Sequence, residues 1–281
     1  MIRLFEDKSE YISKSGTEKE PVFDIASDEK ITIYLSWKSL SFDKVTLNIK
    51  GNGLVEIYEL GESFNSNVEI NIMENARVNH SIAFFGEDNN ANYIVNSKEN
   101  SEYQGALADF TKGKNKLNFV CNLNEKYAKA KWNLASLACE KDIKDFYVSF
   151  YHYAKNTYAK MENYGVCEDD ASLSFLGTSS ITRGAKTSAT HQSAKIMVFD
   201  PTCKAKASPI LCIDENDVEA SHAAVVGQIN EDHIFYLTSR GIEEEEAKKL
   251  ITLGYLKPIL RFFENEKDIL SKLEKSIEGR F

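Results

Sequence analysis

Val68-Glu69-Ile70-Asn71-Ile72, followed after a polar break by Val78-Asn79-His80-Ser81-Ile82-Ala83-Phe84, carries an apolar or ring-bearing side chain at every second position. That is the period of a strand with one buried face, because successive Cβ atoms point to opposite sides. Upstream the same alternation runs through Ile31, Ile33, Leu35 and Trp37, and again through Val45, Leu47 and Ile49. Downstream it returns in short runs at Leu117–Val120, Phe146–Tyr151, Leu173–Phe175, Ile196–Phe199 and Ile210–Ile213. Polar links such as Glu87-Asp88-Asn89-Asn90 separate the runs. No long helical pattern occurs between Ile31 and about Ala224, which argues against βαβ units and leaves a sandwich, a barrel or a solenoid.

Hairpins would be marked by Asn-Gly, Asp-Gly or Gly-Gly turns. These are nearly absent, the single instance lying within Gly51-Asn52-Gly53. Links such as Thr187-Ser188-Ala189-Thr190 are small and polar instead. Strands that stack in one direction need no hairpin, and coils of two or three short strands give repeats of about 20–50 residues. The repeat has no fixed consensus, so the pattern alone leaves solenoid and sandwich evenly matched.

Both ends differ from this body. Residues 1–29 are polar and broken by Gly16 and Pro21, and read as an N-terminal arm. After about Val226 the period becomes helical. Asn230 is placed to cap a short helix through Glu231, Ile234, Phe235 and Leu237, with Gly241 at its stop. Glu243–Glu246 open a second helix with acids suited to a positive N-terminal dipole. Ile269, Leu273 and Ile277 form the stripe of a third. The expected division is therefore an arm (1–29), a β core (30–226) and a helical subdomain (227–281). The subdomain either caps the last coil or docks a partner.

The 281 residues hold 34 Lys+Arg against 43 Asp+Glu, a formal net charge of -9. Net acidity without a basic block argues against a nucleic-acid partner, which calls for cations to displace phosphate counterions. No apolar run reaches the length of a membrane span, and the charged start, Met-Ile-Arg-Leu-Phe-Glu-Asp-Lys, is no export signal. The expectation is a soluble, cytoplasmic chain. Its five cysteines, Cys121, Cys139, Cys167, Cys203 and Cys212, include no C-x-x-C pair and read mostly as small apolar residues or free thiols. Gly184-Ala185-Lys186-Thr187 lacks the upstream glycine of a phosphate-binding loop, and no common catalytic motif occurs, so the chain reads as a non-enzyme. Of the histidines, His80 is in phase with the core, His152 sits beside an aromatic run, and His233 falls in a first helical turn. His191 and His222 stand in polar strands, where a neutral ring nitrogen could bind metal or move a proton.

One segment is more specific. Asp217-Val218, Ser221-His222, Val226-Gly227, Phe235-Tyr236-Leu237 and Arg240-Gly241-Ile242, with Pro209 and His191-Gln192-Ser193 upstream, resemble the C-terminal signature of the SufB/SufD family of iron–sulfur cluster assembly proteins. The resemblance is dense over about residues 185–257 and diffuse before that. It implies a right-handed parallel β-helix, an all-β solenoid, with a small C-terminal α-helical subdomain. It also implies pairing with SufB, or a second copy, through the last strands, and docking of the SufC ATPase by the helices. Phe235, Tyr236, Leu237, Arg240, Gly241 and Ile242 would belong to that contact. Ser221-His222-Ala223 resembles the SufD form; SufB has Glu-His-Glu there and a cysteine just beyond the position of Gln192, where this chain has Ser193, Ala194 and Lys195. The resemblance therefore implies a short SufD-like scaffold subunit. His222 would serve at the subunit interface as a metal or cluster ligand, the iron–sulfur cluster being held transiently in the complex and not tightly by the isolated chain. The expectation is a core-only form, without the N-terminal helical domain common in longer members of the family. The second reading is a self-sufficient homodimer binding metal through His222 with Cys203 or Cys212.

Overall fold

A computed structural model describes residues 2–4, 9–36, 42–61 and 65–280. Trp37 and much of the N-terminal octapeptide lie outside the described residues. The chain winds as a parallel β-solenoid with three helices at its C-terminal end.

The early strands are β1 (Ile2–Arg3), β2 (Ile12–Gly16), β3 (Pro21–Ala26), β4 (Ile31–Ser36), β5 (Val45–Lys50) and β6 (Leu54–Gly61). The middle coils contribute β7 (Asn65–Ile72), β8 (Arg77–Phe84), β9 (Asn90–Ser97), β10 (Glu102–Asp109), β11 (Lys114–Leu123) and β12 (Lys129–Ala138). The last are β13 (Ile143–His152), β14 (Tyr158–Cys167), β15 (Ser172–Ile181), β16 (Ser188–Val198), β17 (Lys204–Ile213) and β18 (Val218–Gln228). Two nine-stranded sheets result. One follows the order β1-β4-β6-β8-β10-β12-β14-β16-β18, and the other runs from β17 back through the odd strands to β3 and β2. All pairings are parallel except β2 with β3.

Residues 10–29 do not form the loose arm expected from their polarity. Within them β3 extends the second sheet by pairing with β5, and Phe23 and Ile25 are fully buried. The polar composition misleads because only every second residue must be apolar in such a strand.

The missing consensus also has a structural cause. The register offset between stacked strands is 23 to 24 residues at β5–β7 and β4–β6, and reaches 30 to 32 at β16–β18 and β15–β17. Coils that lengthen along the axis cannot repeat a fixed-length motif. Turns are set instead by residues in the left-handed region, among them Asn75, Asn100, Tyr127, Asn156 and Thr187. Each of these hands its backbone N–H to the next coil, as Asn75 N does to the Glu99 carbonyl. The inward residues of both sheets, including Ile57, Val78, Phe119, Trp132 and Phe146, form one continuous core. Burying each large aliphatic side chain contributes about 2 kcal/mol, the main force holding the coils together.

The helices are α1 (Glu231–Thr238), α2 (Glu244–Leu256), a 3₁₀ segment (Lys257–Phe263) and α3 (Lys267–Glu278). The Asn230 side chain caps α1 by accepting from the Asp232 N–H, as its sequence position suggested. Ile269, Leu273 and Ile277 are buried, with Leu256, Ile259, Leu260 and Phe263, on a platform of outward alanines that includes Ala83, Ala106, Ala108 and Ala135. Small side chains on the outer face of the first sheet let the helices lie close against it. They pack beside the middle coils and not over the end of the last one, so the end cap, one of the two readings the sequence offered, is not what is observed.

Candidate functional site at the open end of the solenoid

β17 and β18 are terminal strands, paired only with β15 and β16 respectively. β18 therefore presents a row of backbone N–H and C=O groups with no further strand beside it, the arrangement that templates pairing with another chain. Its residues from Ser221 to Val226 are exposed, Val225 and Val226 among them at 56% and 45%.

His222 sits in the middle of this strand. Following the register back from it gives Gln192, Met161, Trp132, Gly105, His80 and Ile57, all in the interior file of the first sheet. His222 occupies an interior position by parity, yet it is exposed because no coil follows to cover it. Its ring makes no hydrogen bond or aromatic contact among the described residues. Beneath it Gln192 is buried and donates from Nε2 to Ser179 Oγ (2.7 Å) and the Ile210 carbonyl (3.1 Å), tying the two sheets together across the lumen. The site is thus an imidazole on a rigid sheet at the mouth of the solenoid, free to meet a group supplied by another chain.

The other sequence candidates divide. His191 faces outward, bonded through Nδ1 to Ser221 Oγ at 2.8 Å and set against the Tyr158 ring. Ser193, Ala194 and Lys195 occupy β16 beside Ala223, Ala224 and Val225, with no thiol in the window. Cys212 pairs in register with Ser180 and faces outward on β17, opposite in parity to His222. Cys203 lies ahead of β17 with Sγ donating to the Asp169 carbonyl at 3.4 Å. No cluster of three or more His, Cys, Asp or Glu suited to a metal occurs among the described residues. Cys121, Cys139 and Cys167 are buried, and burial pushes the Cys121 and Cys139 thiols up to about 12.

On α1, Phe235 and Tyr236 are 73% and 57% exposed, and the Arg240 guanidinium lies over the Tyr236 ring at 5.1 Å. Leu237 and Ile242 are half-buried, and Gly241 turns the chain toward α2 with φ of 86°. No residue of α1 is buried, so the helix displays an aromatic surface that the rest of the chain leaves uncovered.

His80 is the core histidine its phase indicated. Its Nε2 meets Glu59 Oε2 at 2.9 Å and its Nδ1 meets Tyr103 Oη at 3.1 Å, while Tyr93 Oη donates to Glu59 Oε1 at 2.6 Å. All four groups are buried, and burial pushes both tyrosines well above their ordinary range. A second buried network, Asp109 with Lys144, was not visible in the sequence. Asp109 Oδ2 lies 3.1 Å from Lys144 Nζ, and both side chains are fully buried.

Comparison with known proteins agrees with this architecture. Residues 39–255 match the family model described as SUF system FeS cluster assembly, SufBD core domain. The chain is 33% identical over 141 residues to the iron–sulfur cluster assembly protein SufD of Bacillus subtilis, covering 49% of this chain and 32% of that protein. A SufBD family protein of Mycobacterium bovis is 27% identical over 135 residues, covering 48% of this chain and 16% of the relative. One from Pyrococcus horikoshii is 33% identical over 108 residues, covering 36% and 24%. The matched segments thus span a third or less of these relatives. Since the family model accounts for most of the chain, this protein belongs to the SufBD family of iron–sulfur cluster assembly proteins.

Proposed function

We propose that the chain is a SufD-like, non-catalytic scaffold subunit of a SufB–SufC–SufD assembly. The observation that carries the reading is the open edge of β18 with His222 at its centre, exposed and without a partner among the described residues. A second β-solenoid, SufB or another copy of this chain, would continue the sheet across that edge. His222 would then face the partner's ligands, where its neutral ring nitrogen can bind iron or carry a proton during sulfur transfer. The growing cluster is the substrate of this site and leaves with the product. The exposed Phe235–Tyr236 face of α1 would dock the SufC ATPase, and movement of that helix between nucleotide states would be felt at the β18 edge, only Ile229 and Asn230 separating the two.

Replacing His222 with Ala tests the reading. The exposed ring has no partner among the described residues, so the complex should still assemble while the yield of reconstituted cluster falls. An undiminished yield would defeat the ligand role. Formation of a cluster on the isolated chain would instead favour a self-sufficient homodimer.

A further inference from the structure

Away from the open end, the outer face of the first sheet carries a trough beside the 3₁₀ segment. Three adjoining cavities of about 450, 330 and 380 Å³ make it up. The first two share Lys160, Arg261 and Phe262, and the last two share Gln104 and Lys131, so they form one continuous depression. Each is of a size that holds a small molecule.

Its two halves differ in chemistry. Against the helices the wall is aromatic and aliphatic, with Tyr164 and Tyr255 edge-to-face at 5.5 Å and Leu256, Ile259 and Phe262 beside them. Toward the middle coils it is cationic. Arg77, Lys129, Lys131, Lys160 and Arg261 face two acids, Glu102 and Glu162, which are already paired with Lys129 at 3.0 Å and Lys160 at 3.1 Å. This surplus stands in a chain of net charge -9.

Lys131 and Lys160 are register partners on β12 and β14, directly opposite one another. Like charges in that position destabilise a sheet. Lys131 has no counter-ion or hydrogen bond among the described residues, and the Arg261 guanidinium only stacks on the Phe262 ring at 4.8 Å. An arrangement that costs stability and leaves cations unpaired beside aromatic rings fits a ligand with an anionic group at one end and a flat ring at the other. We propose that the trough binds a phosphorylated heteroaromatic small molecule, a mononucleotide, with its phosphate at Lys131, Lys160 and Arg261 and its ring against Tyr164, Tyr255 and Phe262. The ligand would bridge the solenoid and the helical subdomain, since Arg261, Phe262 and Tyr255 come from the latter. The site is separate from the β18 edge and stands whether or not His222 serves a cluster.

Calorimetric titration of the full chain with adenosine and uridine monophosphates, adenosine alone and inorganic phosphate tests this. At least one monophosphate should bind saturably, and more tightly than adenosine or phosphate. Lys131→Gln should weaken it by about tenfold, the loss of one charge-assisted hydrogen bond, without lowering the melting temperature, since it also relieves the like-charge pair with Lys160. Arg261→Gln should act in the same direction. Absence of binding by both monophosphates, equal binding of inorganic phosphate or adenosine, or unaltered affinity in both variants would overturn the assignment.

Discussion

His152 makes the stability of this protein depend on pH in a way that can be worked out from its surroundings. The ring is fully buried at the end of β13, with Nδ1 2.8 Å from Thr157 Oγ1 and Nε2 without a hydrogen-bond partner among the described residues. Thr157 Oγ1 also lies 3.1 Å from the Ala154 carbonyl and 2.8 Å from Ser188 Oγ, so the neutral ring is served through Nδ1 alone, as donor or acceptor. Protonation would place an N–H with no acceptor, and a charge, in the core. Burial accordingly lowers the His152 pKa to about 4 from 6.5. Between these values the unfolded chain binds a proton that the folded chain refuses. The associated stability is present above the unfolded value and is lost as the pH falls toward the folded one. Integrating the linkage relation from pH 7 to pH 5 gives a loss of about 2 kcal/mol from this group. Urea denaturation of the wild type and of His152→Phe at a series of pH values isolates it, because carboxylates titrate alike in both proteins. The stability difference between the two should shift by about 2 kcal/mol in favour of the variant on going from pH 7 to pH 5. A difference that does not change with pH would refute the reasoning.

Three further outcomes are expected. Asp109→Asn or Lys144→Met alone leaves a fully buried charge uncompensated and should cost about 3–5 kcal/mol in denaturant unfolding, whereas the double variant should cost less than the sum. Arg280 holds Asp142 at 2.5 Å, with both side chains nearly buried, and anchors the end of α3 to the solenoid. Arg280→Met should raise amide exchange across residues 257–280 well before the coils open. Phe235→Asp combined with Tyr236→Ser should abolish capture of SufC while leaving the melting temperature within a degree or two, since α1 buries none of its residues. Deleting residues 230–281 would be a poorer test, because it also strips the helices from the alanine platform.

The sequence disclosed the strands and the helical stripe because each obeys a local period. Alternation at Val68–Ile72 and Val78–Phe84 reappears as buried positions, and the Ile269, Leu273 and Ile277 stripe lies against the platform as its spacing required. It did not disclose how coils stack, since an offset that grows from 23 to 32 residues erases any repeat a sequence comparison with itself could find. The buried pairs were hidden for a related reason. Asp109 and Lys144 lie 35 positions apart and meet only through stacking of β11 with β13 beside the turn after β10. Glu59 and His80 occupy adjacent strands, but their partnership depends on which face each side chain takes. His222 illustrates the same limit from the other side. Its parity marks it as an interior residue, and only the absence of a following coil makes it accessible.

That absence is the link between the fold and the proposed chemistry. A solenoid whose last coil were sealed by its own helices would be more protected against edge-to-edge association. Here the helices lie along the flank instead, where Ala83, Ala106, Ala108 and Ala135 give them a flat seat. The cost is an eleven-residue strand left without a neighbour on one side, carrying exposed Val225 and Val226. Apolar side chains on an open edge are what an isolated protein avoids and what an obligate interface uses. Because β18 passes into α1 through only Ile229 and Asn230, a partner that held α1 would also set the position of the strand bearing His222. On the proposed reading, two contacts on one continuous stretch of chain, one for another solenoid and one for a motor, would be enough to connect a nucleotide-driven movement to the imidazole without any change in the coils behind it.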